Sequence, residues 1–221
     1  MRVSVTEWRP AFADMPTSPR LSDTLKSSKA ELRKALRRRR AAIPVAERQR
    51  AATEVARRLR TLRLLKRGRR VAAYLALGSE LSLDVSIVTM LRFGVDVCVP
   101  VVPRRGRKMH FASLLDPHGR WQRNCYGISE YVGKKRVRGR DLDAVLVPLT
   151  GFDAQGGRMG QGGGYYDCTF SFSRQRQHWR KPRLIGIAYD CQRVDSLPLE
   201  AHDARLDAVL TESRVYEITT R

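Results

Sequence analysis

Five short, almost uninterrupted apolar runs set the terms on which this chain can fold. Val71–Leu77, Val95–Val101, Ala144–Val147, Leu184–Ala188 and Ala208–Leu210 are too short for buried helices and too uniformly apolar for strands with one wet face. They read as strands covered on both sides. Between the first two, Leu83–Arg92 carries Ile87, Val88 and Leu91 on one side and is followed by Gly94 as a left-handed stop, which predicts a helix and hence a βαβ unit. Pro100 is expected to break the second strand, Met109-His110-Phe111 reads as a weak strand, and a helix is expected from about Tyr165. The polar, Gly-rich stretch Asp116–Asp141 shows no period. Alternating strands and helices predict an α/β fold, a three-layer α/β/α arrangement around a mostly parallel sheet, as a single domain over residues 29–221. Residues 1–28, with three prolines and several Ser and Thr, show neither helical nor strand periodicity and are expected to form a flexible extension, with Met15 as an alternative start.

The charge balance says what such a domain meets. The 221 residues carry 43 Lys and Arg against 22 Asp and Glu, a net charge of +21, so an anionic partner is expected. Seventeen of the basic residues crowd between Lys29 and Arg70 against three Glu. That segment divides at Ile43-Pro44 into two helical patterns, the first with Leu32, Ala35 and Leu36 inward, the second with Val55, Leu59 and Leu62 inward, opened by Pro44 and closed by Gly68. Such a face either lies on nucleic acid or is the solvated side of two amphipathic helices. No aromatic residue interleaves it for base stacking, and its apolar stripes need a core, so the solvated face is preferred and nucleic-acid binding is kept as the alternative function. A hydrophobic content of 42% excludes a disordered basic tail. No run approaches the roughly 18 apolar residues that cross a bilayer, and no apolar signal core opens the sequence, so a cytoplasmic, membrane-free protein is expected. The four cysteines have no CxxC spacing, and Cys98, inside Val95-Asp96-Val97-Cys98-Val99, reads as a buried thiol.

The chemistry is concentrated in Phe152-Asp153-Ala154-Gln155-Gly156-Gly157-Arg158-Met159-Gly160-Gln161-Gly162-Gly163-Gly164-Tyr165-Tyr166-Asp167, which lies between a predicted strand and a predicted helix. In open α/β sheets that is the carboxyl edge where ligands collect. Gly160, Gly162, Gly163 and Gly164 free backbone N–H groups to turn toward one anion, and the start of the next helix adds its dipole. Arg158 offers a fixed positive fork and Asp167 a hard oxygen of the kind Mg²⁺ prefers beside nucleotide phosphates. Composition alone leaves open a surface loop that merely turns. A P-loop is excluded because no Gly-Lys-Ser/Thr follows, and a Rossmann fingerprint is disfavoured because the glycines do not follow the first strand.

Gly151-Phe152-Asp153, the block Gly157–Asp167 and the tail Leu197-Pro198-Leu199-Glu200-Ala201-His202-Asp203 together resemble the 5-formyltetrahydrofolate cyclo-ligase family, over nearly the whole chain from Lys29 to Thr211. The resemblance implies ATP contacts from Lys29 and Arg33 on the first helix and from Arg158, Met159, Gly160, Gln161, Gly162, Gly163, Gly164, Tyr165 and Tyr166. It implies folate contacts from Leu75 and Glu80, in the stretch Tyr74-Leu75-Ala76-Leu77-Gly78-Ser79-Glu80-Leu81, and from Gln161 to Tyr165. It also implies Mg²⁺ on Asp167 and Asp203. Residues four apart share a helix face, so Lys29 and Arg33 are placed to grip one triphosphate. The sequence departs from the family pattern at Gln161, where a Tyr, Met or basic residue is frequent, at Cys168, where Arg is frequent, and at Tyr131, where Pro is usual.

What the resemblance implies for function is ATP- and Mg²⁺-dependent cyclisation of 5-formyltetrahydrofolate, with or without a polyglutamate tail, to 5,10-methenyltetrahydrofolate, releasing ADP and phosphate through a phosphorylated formyl group. Arg158 is expected to stabilise charge, Glu80 to orient the pterin, and no side chain to act as a covalent nucleophile. A monomer is expected. A sugar-phosphate isomerase or an acyl-CoA-type enzyme on the same fold stands further behind, because fold alone does not settle chemistry.

Overall fold

A computed structural model describes residues 29–124, 127–175, 181–197 and 204–218. The expected extension at residues 1–28 lies outside them. In chain order the elements are α1 (Lys29–Ala41), α2 (Val45–Arg58), β1 (Arg70–Ala72), α3 (Asp84–Arg92), β2 (Asp96–Val101), β3 (His110–Ser113), β4 (Arg120–Arg123), β5 (Ser129–Val132), β6 (Ala144–Pro148), β7 (Gly151–Phe152), β8 (Arg158–Met159), α4 (Tyr165–Thr169), β9 (Arg183–Ile187), β10 (Ala208–Leu210) and β11 (Val215–Glu217).

Seven strands form one sheet in the order β11-β10-β9-β6-β1-β2-β3. Its five central strands, β10, β9, β6, β1 and β2, are mutually parallel and correspond to the five apolar runs; the edges β3 and β11 are antiparallel. Successive residues alternate between the two faces, as a pleated strand requires. Val97, Leu146, Ile185 and Ile187 pack on one face with Ala51, Val55 and Leu59 around α2 and Ile87 and Met90 of α3. Cys98, Val145, Val147 and Leu184 pack on the other with Phe111, Phe152, Phe170 and Leu206. The second face is roofed by the short α4 and irregular segments rather than by long helices.

Several local expectations are revised. The first apolar run leaves the sheet after Ala72, and Leu77 is exposed, because the chain there turns over the sheet edge toward solvent. Pro100 does not break β2: it pairs with Phe111 of β3, while β1 reaches no further than Cys98, so its missing N–H orphans no partner. The second helix ends at Arg58 rather than near Gly68; Leu59 caps it and Arg63 turns the chain at φ 54°. Ala35 is exposed, whereas Leu36, Val55, Leu59 and Leu62 are buried as expected. The stretch Asp116–Asp141 contains the β4–β5 hairpin, and β11 was not legible in the sequence. Cys98 is buried.

The basic run proves to be partly wired into the fold. Arg48 donates to the carbonyls of Ile43 and Ala41, Arg57 pairs with Glu54, and Arg58 Nε donates to Glu212 O. Arg40 is buried, and its Nε donates to Ser79 Oγ at 3.0 Å. Among the described residues no helix is long and apolar enough to cross a membrane.

Candidate active site

The chain runs from β1 to β2 on one side of β1 and later returns through β6 on the other, so the sheet switches direction between β1 and β6. At such a point the strand ends splay and leave a crevice at their carboxyl edge. A cleft of about 930 Å³ lies there, lined by Tyr74 and Leu75 beyond β1, by Pro100 and Val102 at the end of β2 and by Pro148 at the end of β6.

The glycine loop is held over this crevice by the β7–β8 hairpin. Asp153, 2% exposed, accepts from the N–H groups of Gln155 and Gly157 with Oδ1 and from Leu197 N with Oδ2, so it ties off the turn and pins a distant segment. A Cβ on Gly157 would stand 2.5 Å from Asp153 Oδ2, which explains the glycine there. Beyond β8, Gly162 at φ 104° and Gly164 at φ 66° take left-handed conformations that other residues adopt at a cost. Gly164 precedes α4, which has only five residues. The expected helix-dipole contribution is therefore that of a single turn, and the charge in the cleft comes mainly from side chains.

Those side chains arrive from α1. Lys29 and Arg33 line the cleft, and Arg33 Nε donates to Gly160 O at 3.0 Å. Arg37, one turn further, donates from Nη2 to Gln161 O at 3.1 Å. Positions i, i+4 and i+8 of one helix thus face one loop. At the far end of α1, the Arg40–Ser79 bond holds the loop carrying Glu80. That carboxylate accepts from Leu77 N and from Gln161 Nε2, both at 3.0 Å, and so joins the two loops across the cleft.

Arg158 is almost wholly buried, its side chain 4% exposed. Its Nη2 lies 2.5 Å from Asp167 Oδ1, and its Nε donates to Ala204 O. Asp167 Oδ1 also accepts from Ala204 N, while Oδ2 takes no hydrogen bond among the described residues. The latter oxygen is the free hard donor at this end of the cleft. It suits an ion that takes one or two carboxylates and completes its shell with phosphate and water. Among the described residues no three His, Cys, Asp or Glu side chains gather into a metal-binding group. Asp203 lies outside the described residues.

Tyr165 and Tyr166 both line the cleft. Tyr166 also stacks on Phe170, ring centroids 6.2 Å apart, and burial, with Glu80 nearby, pushes its hydroxyl well above the usual phenol range, so it stays a neutral donor. Tyr74 is held protonated in the same way and donates to Leu81 O at 2.7 Å. Of the residues nominated from the sequence, Lys29, Arg33, Leu75, Glu80 and the whole stretch Arg158–Asp167 meet in this one cleft. Sequence reasoning passed over Arg37 and Arg40, which it counted only as charge although the i+4 spacing from Arg33 was visible. It also missed Arg107, whose guanidinium lies 3.5 Å from where a Cβ on Gly164 would stand. No local pattern could have found that one.

The sequence profile of the 5-formyltetrahydrofolate cyclo-ligase family matches residues 25–212. The 5-formyltetrahydrofolate cyclo-ligase of Escherichia coli K12 is 35% identical over 156 residues, 66% of this chain and 80% of that protein. The mouse enzyme of the same name is 26% identical over 86% of this chain and 96% of its own length. Among solved structures, that of Aquifex aeolicus 5,10-methenyltetrahydrofolate synthetase superposes with a TM-score of 0.72 at 29% identity, covering 87% of this chain and 94% of that one.

Proposed function

The chain belongs to the 5-formyltetrahydrofolate cyclo-ligase family, and from that premise we propose how its cleft closes the ring of 5-formyltetrahydrofolate to give 5,10-methenyltetrahydrofolate. One observation supports the reading above the others. Cations of α1, the glycine loop and Glu80, from three distant parts of the chain, face a single crevice and are hydrogen-bonded to one another.

A formamide oxygen is a poor leaving group. In the proposed reaction it attacks the γ-phosphorus of ATP, the bond to the bridging oxygen breaks, and ADP departs. The neighbouring folate nitrogen then attacks the formyl carbon and gives up its proton to solvent, and the C–O bond breaks to release phosphate. Such transfer is mainly a matter of alignment and charge neutralisation. Lys29, Arg33 and Arg158 supply fixed positive charge, and the loop Gly160–Gly164 lets phosphate approach the backbone closely. Glu80 accepts from the N–H groups of the pterin, and Leu75 packs on the substrate. Tyr165 and Tyr166 wall the nucleotide and folate from water. Asp167, with Asp203, would hold Mg²⁺, which when bound neutralises charge on the phosphates. No covalent nucleophile is needed.

The test is direct. Purified protein incubated with 5-formyltetrahydrofolate, ATP and Mg²⁺ is expected to show the methenyl absorbance appear, and ADP accumulate in equal amount. Ring closure that proceeds as fast without nucleotide, or after chelation of the metal, would overturn the ATP and Mg²⁺ parts of the reading while leaving the folate chemistry in place.

A further inference from the structure

Beside the substrate cleft lies a second and larger cavity, about 1150 Å³, that the proposed reaction leaves unused. The two share the wall formed by Val102, Met109, Asn124 and Glu130. Around its mouth stand Arg104, Lys108, Arg123, Arg136 and Arg140, all exposed. They come from three separate segments, the β2–β3 connection, β4 and the link from β5 to β6. This distinguishes them from exposed cations of α1 such as Arg38 and Arg39, which are neighbours in sequence and project from a helix face that would be solvated in any case.

None of these five meets a carboxylate among the described residues, although the sequence can supply one here: Arg138, on the same rim, is held by Asp141 with paired bonds of 2.9 and 3.0 Å. Among the described residues the only acidic one in the lining, Glu130, is 5% exposed, and its Oε1 accepts from Val102 N and Asn124 Nδ2, both at 2.9 Å. His110, also in the lining, is kept below the usual imidazole range by burial and then by Arg136, with Glu130 opposing, so it stays neutral and neither adds to nor offsets the positive charge. Five like charges around one cavity repel one another unless an anion sits among them. Because the cations are spread along a rim over an apolar floor that includes Val101 and Met109, a single small anion would meet few of them.

We propose that this cavity is a second anion site, and that its ligand is an elongated small molecule with several carboxylate or phosphate groups spaced along a chain. The ligand lies beside the substrate cleft and is separate from the nucleotide held by the glycine loop. The shared wall allows two sources for such a chain: an acidic extension of the folate bound next door, or a free polyanion that binds on its own. The site itself depends on neither the ATP nor the Mg²⁺ assignment.

Calorimetric titration of the full chain with a non-hydrolysable ATP analogue reports first, and separately, on the nucleotide reading. With that analogue saturating and salt low, inorganic tripolyphosphate is expected to bind once more. The double change Arg136→Ser/Arg140→Ser is expected to weaken this binding on the order of tenfold or more, whereas Arg38→Ser/Arg39→Ser on α1, which removes the same charge, leaves it in place. No tripolyphosphate binding, or equal weakening by both double variants, overturns the site. The source is then read from KM for 5-formyltetrahydrofolate carrying one or several γ-linked glutamates. If the chain belongs to the substrate, the Arg136/Arg140 variant raises KM for the long form alone; if the anion is free, the variant leaves both values unchanged. An equal rise for both lengths places the two arginines in the substrate cleft and overturns the proposal.

Discussion

Gln161 Nε2 donates to Glu80 Oε1 at 3.0 Å, joining the glycine loop to a loop 81 residues away. Glu80 Oε2 is already taken by Leu77 N, so this side chain fixes the remaining oxygen of the carboxylate expected to orient the pterin. Truncation in Gln161→Ala frees that oxygen. Loss of one exposed, charge-assisted hydrogen bond, about 1 kcal/mol, predicts a KM for folate raised about fivefold with kcat changed less. Steady-state kinetics with folate varied at saturating ATP measures it. A fall confined to kcat would instead place Gln161 on the reacting groups.

Asp167 serves two ends, since its Oδ1 neutralises the buried Arg158, while the residue lines the cleft and its Oδ2 takes no hydrogen bond among the described residues. Asp167→Asn keeps an acceptor for the guanidinium or for Ala204 N but removes the charge. Methenyl formation is expected to fall on the order of a hundredfold or more, with a melting temperature only a few degrees lower. Asp167→Ala strands the guanidinium and is expected to cost about 2–3 kcal/mol in a urea titration, at the low end for a broken buried pair because Asp167 is partly exposed. Full turnover in the Asn variant would remove the metal role.

Gly186 stands in β9 where a Cβ would lie 2.5 Å from Leu149 Cδ2 and 2.7 Å from Leu206 Cδ1. Both leucines are packed, 3% and 2% exposed, and cannot both withdraw. Gly186→Ala is therefore expected to destabilise the fold by about 1–3 kcal/mol through overpacking. Chemical denaturation reads this directly, and the folded fraction should keep most of its turnover, because Gly186 itself does not line the cleft.

Burial raises the Glu212 carboxyl from the ordinary glutamate range to about 7, with the charge of Asp190 adding to the effect and Arg58 opposing it. A folded-state value above the unfolded one means that the protonated form is favoured by folding. This contribution to stability is complete below the unfolded value and is lost as pH rises through about 7. Glu212→Gln, which can still accept from Asp190 N, should melt close to the parent protein at pH 5 and several degrees above it at pH 8. Equal melting temperatures at both values would show that the carboxyl is not desolvated.

Legibility followed the range of the interactions. The five central strands were readable because burial on both faces leaves an apolar run that needs no partner to be recognised. Of the two edges, β3 was expected near Met109–Phe111 but β11 was not, and neither was the separate β4–β5 hairpin, because these carry mixed residues whose pairing depends on a neighbour. Pro100 misled because its cost depends on whether β1 extends alongside it, a fact of register. Likewise, Lys29 and Arg33 came from the family resemblance, with which their four-residue helical spacing agrees, while Arg40 looked like its neighbours and is nonetheless buried against Ser79.

By itself, then, the sequence determined the five central strands, the glycine loop at their carboxyl edge and the residues that resemble a cyclo-ligase cleft, because period, composition and motif are properties of contiguous chain. Only the tertiary structure decided that α1 holds both loops of the cleft, that Gln161 meets Glu80, that Arg158 is committed to Asp167, and that five cations from three segments surround a second cavity. Those relationships depend on distances between residues far apart in the chain, which arise once the strands pair and the sheet is covered.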